Sequence, residues 1–168
     1  LETEEAGLEQ SLLPTVVSAP MLFFDVAAAF PSVTHQWIVY ALERMPLDAR
    51  YLRVIRSLYN GCTSQISIAG SRFGTFRIHC GIKQGCPMSG TIFAIAMDPI
   101  IRRSMAAPTI AKVTISAYAD DLSMAFRDLA ANITQITGIF DEVYEASALG
   151  LKMSKCVFVP INTFGNIV

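Results

Sequence analysis

Two adjacent acids, Asp120 and Asp121, stand between two apolar runs, Val113 to Ala117 and Leu122 to Phe126, and this leaves the chain few ways to fold around them. Each run has the length of a strand, so the segment predicts a hairpin with the acids at its tip. Successive strand residues point to opposite faces, so only a turn lets both carboxylates reach one region. Like charges brought together repel unless a cation lies between them, and magnesium, which takes oxygen ligands and keeps positions open for phosphates, is the fitting ion. An isolated Asp-Asp is equally an ordinary turn dipeptide. The decision therefore rests on the remainder of the chain.

A second anomaly lies upstream, where Met21 to Val26 is apolar except for Asp25. A charge after four apolar residues is costly inside a core, so Asp25 is expected at a strand end, facing solvent or a metal. Small residues follow at Ala27 to Ala29, and Phe30 closes the space they leave. If the two strands are neighbours, Asp25 meets Asp120 and Asp121, and three carboxylates suit two-metal phosphoryl transfer.

Between these acids the pattern predicts a helix from Thr34 to Arg44, with Trp37, Tyr40 and Ala41 on one face. A second begins at an Asp48 cap and ends at Asn60-Gly61. His35, in the first turn of a helix, reads as a surface residue. Ser64 to Ala69 and Thr75 to Cys80 read as a hairpin turning at Gly70-Ser71. The glycines and proline of Gly81 to Gly90 forbid regular structure. They lead into a helix from Thr91 to Ser104, apolar nearly all round and expected to be central, with a kink at Pro99. A glycine-rich entry into a buried helix suits close approach to a nucleotide or base pair, although such loops are common. Ile133, Ile136, Phe140, Val143 and Tyr144 form a core stripe on a helix that Gly150 is expected to end, ahead of a strand at Val157 to Val159.

The chain has 168 residues, 52% of them hydrophobic and 16% charged, which is one domain or a piece of a larger one with ample material for a core. Its longest apolar run, Ile92 to Met97, is far below the ~20 residues of a membrane span. Soluble behaviour is expected, with no membrane contact and no secretory signal. The four cysteines lack the paired close spacing of zinc sites and read as reduced intracellular thiols. Net charge is −1, and without the four glutamates of the first nine residues it is 13 basic against 10 acidic residues, or +3. That is a weak nucleic-acid footprint overall. Residues 1–20 read as a linker or the remnant of a preceding segment, and residues 21–168 as the folded unit.

The order of motifs resembles the palm of reverse transcriptases, of the non-LTR retrotransposon and group II intron type. Phe23 to Phe30 is similar to the first catalytic motif, Gly81 to Phe93 to the glutamine-glycine motif, Tyr118-Ala119-Asp120-Asp121 to the tyrosine-x-aspartate-aspartate box, and Gly150 to Lys155 to the lysine motif. The resemblance implies an α+β fold: a polymerase palm with a small antiparallel sheet packed on helices, partial fingers and no thumb. It implies two Mg2+ ions, with Mn2+ as substitute, held by Asp25, Asp120 and, less directly, Asp121. The partners it implies are an RNA template, a DNA primer and deoxynucleoside triphosphates.

The same resemblance assigns the peptide at Val26 to the triphosphate, and Phe30 to the gate that excludes a 2′-hydroxyl. Gln84 and Gly85 would pack against nucleotide and template, and Tyr118 would contact the primer end. Lys155 would protonate the departing pyrophosphate, with Lys152 as competitor. Either lysine could instead be merely solvated, and Gln84 only a turn residue. Pro31 and Gly90 depart from the family pattern, the segment between Gly150 and Lys155 is shorter than usual, and no fingers motif with a nucleotide-gripping cation is found before Asp25. The alternatives are a relic that keeps the fold as a nucleic-acid-binding scaffold, and a viral RNA polymerase, against which Phe30 and Ala119 speak. An intracellular, nuclear setting would follow from copying at nuclear DNA, although no basic localisation run supports it.

Overall fold

The computed structural model describes residues 20–106, 113–126 and 129–160. Most of the expected linker, residues 1–19, lies outside the described residues. Four strands, β1 (Met21–Asp25), β4 (Thr114–Tyr118), β5 (Asp121–Ala125) and β6 (Val157–Val159), form an antiparallel sheet in the order β4-β5-β1-β6. A separate two-stranded ribbon joins β2 (Thr63–Ile68) to β3 (Ser71–Arg77). The described residues also form five α-helices, α1 (Ala29–Ser32), α2 (His35–Glu43), α3 (Ala49–Tyr59), α4 (Ser89–Ala106) and α5 (Leu129–Ser147), and a short 3-10 helix at Met153–Lys155. This is the α+β arrangement expected, with helices covering one face of a small antiparallel sheet.

Alternation decides which face. Leu22, Phe24, Leu122 and Met124 are buried, whereas the residues between them are open or half-open, so helices cover one side of the sheet and the other stays bare. Under the covered side lie Ile38, Leu42, Phe93, Ile100, Ile136 and Phe140, all at most 1% exposed. Phe24 stacks on Phe140 with ring centroids 6.2 Å apart, tying β1 to α5. Trp37 donates its indole N–H to Ala96 O at 2.8 Å, tying α2 to α4. The Asp48 carboxylate accepts from Arg50 N at 2.7 Å, the cap that the sequence predicts, and Thr34, expected as the first helical residue, is instead the cap of α2, its hydroxyl accepting from Trp37 N at 3.1 Å.

Several expectations are corrected. The ribbon turns at Ala69-Gly70, and β3 begins at Ser71 rather than Thr75. Gly74, at φ 50°, is an extra residue in β3 opposite the Gln65–Ile66 step, so the bulge breaks the period-two pattern and hides Ser71 to Phe73 from sequence reading. The last long helix ends at Ser147, with Ala148 in the left-handed conformation (φ 57°), not at Gly150. At Gly150 a Cβ would lie 3.0 Å from the Tyr144 ring, a tight approach that the half-exposed ring would have to yield to. Tyr144 itself is 51% exposed, so Ile139 takes its place in the stripe. Tyr40 is 41% exposed, and α2 buries Trp37, Ile38, Ala41 and Leu42. The helix after the glycine loop buries one side only, with Arg102 and Arg103 on the other, and Pro99 lies inside it.

Replacing Phe140, 1% exposed and stacked on Phe24, with alanine should lower the unfolding free energy by about 3–5 kcal/mol, read by urea denaturation.

Candidate active site

The pairing register builds the site. Asp25 lies opposite Asp121, and Asp121 lies opposite Tyr118, so three residues form one row across β1, β5 and β4. Paired residues share a face, and this row belongs to the bare one. Tyr118 is 84% exposed at the end of it. Asp120 and Ala119 make the two-residue turn between β4 and β5, which brings Asp120 to the same end of the sheet. The next row on that face is Ser116, Ser123, Phe23 and Val157, and its small hydroxyl residues leave a low floor beside the acids.

The turn is strained. Ala119 has φ 52°, where a Cβ crowds the backbone, at a cost of about 1–2 kcal/mol. Ala28, just after Asp25, is likewise left-handed at φ 46°. Both alanines flank the acid row, so backbone strain sits where the carboxylates are aimed.

The Lys155 ammonium lies 3.8 Å from the Asp25 carboxylate, both partly open to solvent. Lys152 contributes its backbone instead, donating N–H to Asp25 O at 2.8 Å. Of the two lysines, the geometry brings Lys155 to the acids. The segment between Gly150 and Lys155 is held against β1 by Ala27 N to Gly150 O at 2.8 Å and by a bridge between Val26 and Leu151. Val26 is 4% exposed and bridged to Leu151, so its side chain belongs to the core.

Among the described residues, no three or more His, Cys, Asp and Glu side chains converge as a closed cage. The acids line one end of a face, with a cation beside one of them. Magnesium seldom uses an all-protein cage; one or two carboxylates with phosphates and water complete its octahedron. The oxygen-only donor set at the open end of the sheet fits such an ion.

The glycine loop is fastened to the segment after Asp25. Gly81 N donates to Val33 O at 2.8 Å and Ile82 N to Phe30 O at 2.7 Å; His35 N donates to His79 O at 2.9 Å. His35 Nε2 lies 3.0 Å from Gly81 O, in reach to donate when it carries the proton. Gly81 is required here, because at φ 89° an added Cβ would meet Pro31 O at 2.9 Å. Phe30 is half-buried and stacks on Phe93 of α4, with centroids 4.5 Å apart and planes 15° apart. Gln84 and Gly85 stand exposed at the loop's outer turn.

Sequence reasoning missed two residues here. His35 read as a surface side chain, yet it packs edge-on against Tyr59 at 4.9 Å and braces the loop. The buried Tyr59 phenol is raised above its ordinary pKa, chiefly by desolvation, with the Lys83 backbone opposing. Phe93 sets the Phe30 ring, a role visible only once α4 is placed. No signal in the local sequence pairs either residue with its partner.

An antiparallel sheet packed on helices, with acids gathered at a hairpin tip on its bare face, is the palm of a nucleotide polymerase. The family model described as reverse transcriptase (RNA-dependent DNA polymerase) matches residues 7–166, and the chain belongs to that family. It is 26% identical over 122 residues to an uncharacterised 149 kDa protein of transposon TX1 from Xenopus laevis, covering 68% of this chain and 9% of that protein. It is 25% identical to the Pol polyprotein of the type-1 retrotransposable element R2 from Popillia japonica, covering 85% of this chain and 21% of the relative. With the RNA-directed DNA polymerase of the mobile element jockey from Drosophila funebris it shares 24% identity, covering 87% and 16%. The chain thus spans about a quarter or less of each of these relatives. Among solved structures, telomerase from Candida albicans superposes with a TM-score of 0.66 at 14% identity, over 88% of this chain and 27% of that one. The same fold recurs in telomerase from Candida tropicalis, with a TM-score of 0.67 at 11% identity, over 90% and 32%.

Replacing Ala119 with glycine should leave thermal stability unchanged or raise it by up to about 1 kcal/mol, because relief of the left-handed strain offsets the added unfolded-state entropy. A melting curve shifted down by several degrees would show that the turn is unstrained.

Proposed function

We propose that this chain is the palm, with adjoining fingers, of a retroelement RNA-directed DNA polymerase, which adds deoxynucleotides to a primer 3′ end on an RNA template. The observation that carries the reading is the row Tyr118, Asp121 and Asp25 across the bare sheet face, with Asp120 in the turn beside it. Asp25 and Asp120 would hold two divalent metal ions together with the substrate's phosphates, and Asp121 would support them. Magnesium, or manganese in its place, would supply an activated 3′-oxygen and a stabilised leaving group. Residues 21–168 make up this unit, and an intracellular, nuclear setting is part of the proposal.

The chain's own residues then have distinct tasks. The Lys155 ammonium, beside Asp25, is placed to give a proton to the departing pyrophosphate. Without ions it also offsets part of the repulsion between the acids. Phe30, fixed by Phe93 behind it, leaves neither room nor a hydrogen-bond partner for a 2′-hydroxyl. Gln84 and Gly85 present the loop to the nucleotide and template, and Tyr118 touches the primer end. R2 and jockey are retroelements by name, which supports this assignment over a viral RNA polymerase.

Primer extension on an RNA template with Mg2+ or Mn2+ tests it. The wild-type chain should extend with deoxynucleotides and not ribonucleotides, and Asp120→Asn should lose extension by at least about a hundredfold while its unfolding free energy stays within about 0.5 kcal/mol. Silence from a folded wild-type chain would instead support the scaffold reading, in which the partial span of the relatives leaves the palm unable to act alone. Phe30→Val should admit ribonucleotides in the same assay, and unchanged sugar discrimination would remove Phe30 from the gate.

A further inference from the structure

The net charge of −1 conceals a strong asymmetry. Residues 44–83 hold seven of the 13 Lys and Arg residues and one of the 14 Asp and Glu residues, a local balance of +6 against −7 elsewhere. This stretch is α3, the β2–β3 ribbon and the first part of the glycine loop. Among the described residues, Arg53, Arg72 and Arg77 have no anionic partner, whereas Arg56 pairs with Glu43 and Arg50 with Asp48.

The ribbon has two unlike faces. Ser64, Ile66 and Ile68 lie opposite Phe76, Phe73 and Ser71, which makes one face apolar; Gln65 and Ser67 lie opposite Thr75 and Arg72, and Thr63 opposite Arg77, which makes the other polar and basic. Gln65 donates its side-chain amide to Thr75 Oγ1 at 3.0 Å, fixing that polar face. Arg77 also lines a groove of about 710 Å³ between α2 and α3, together with His35, His79, Asn60 and the paired Arg56 and Glu43, so Arg77 is the lining arginine left without an anionic partner among the described residues. The groove lies on the side of α2 away from Trp37, Ile38, Ala41 and Leu42, and it shares no residue with the acid row. Arg53 is one turn before Arg56 on α3 and extends the same basic surface.

We propose that this groove and the polar face of the ribbon bind a single nucleic-acid strand through its phosphodiester backbone, at a site distinct from the carboxylate row. A repeating anion matches arginines distributed over two elements, and a concave groove admits one strand where a duplex would span it. An acidic protein partner is the weaker match, since protein interfaces are anchored by buried aromatic and apolar side chains. About half of the groove's lining is Arg, His, Asn, Ser and Gln, Tyr59 in its wall is only 4% exposed and so is no anchor, and the ribbon's large apolar side chains are on its other face. The inference goes beyond the polymerase assignment, because binding without synthesis is what it asserts.

The test is fluorescence anisotropy with labelled oligo-rU and oligo-dT strands, unprimed and in EDTA, so that neither a metal nor a primer end contributes. Arg72→Glu/Arg77→Glu should weaken binding of at least one strand by about tenfold or more, and Arg72→Gln/Arg77→Gln, which removes two phosphate contacts, should flatten the salt dependence by about 1.4 units of log K per log salt. Arg102→Glu/Arg103→Glu, which makes the same charge change on α4, should have little effect. Equal losses from both glutamate pairs, or competition by polyglutamate as effective as unlabelled strand, would overturn the proposal. Because the ribbon is small, wild-type protein should also be crosslinked to strands carrying 4-thiouridine or 4-thiothymidine. Crosslinks within residues 53–79 are expected, and crosslinks confined to β1, β5 and the Asp120 turn would overturn it equally.

Discussion

The pairing of β1 with β5 is the constraint on which everything else rests. It sets Leu22 and Phe24 beside Met124 and Leu122 on the covered face, and by the same register it sets Asp25 beside Asp121 on the bare one. Because strand side chains alternate, a slip of one residue would turn two buried apolar pairs into solvent and drive the acids into the helices. Burial of those four side chains contributes on the order of 1.5–3 kcal/mol each, and that same burial holds the carboxylates together against their repulsion. The core and the chemistry are therefore one interaction seen from two sides.

The acids were legible in the sequence because they broke a pattern. Asp25 interrupts an apolar strand and Asp120-Asp121 lies between two others, so period two and the cost of a buried charge suffice to predict a hairpin tip meeting a strand end. The helix starts at Thr34 and Asp48 were legible for the same local reason, since a cap acts within three residues. What failed was non-local or conformational. The Gly74 bulge reset the alternation of β3, the left-handed Ala148 ended α5 without the usual glycine, and Tyr144 lay in helical phase yet at the rim of the core. The roles of His35 and Phe93 depend on partners 46 and 63 positions away in the chain, a separation that no local pattern encodes.

Phe30 and the glycine loop form one mechanical unit. Phe30 is fixed from behind by Phe93, which the loop delivers at the start of α4, and from the side by the bond between its carbonyl and Ile82. A shift of α4 would move the ring and the loop together, so the roles proposed for them would change in concert. The tight approach of Gly81 to Pro31 leaves little slack in that link.

The β2–β3 ribbon pairs with no strand of the main sheet and exposes most of its length, including Ile66, Ile68, Phe73 and Phe76 at 52–62%. Two strands alone are marginal in water. Its amides should therefore trade hydrogen with solvent through local openings that leave β1 and β5 intact, making the ribbon a separate cooperative unit of lower stability. Among the described residues, the Ala69-Gly70 turn is where a protease would cut the native chain, and the acid row would outlast the cut.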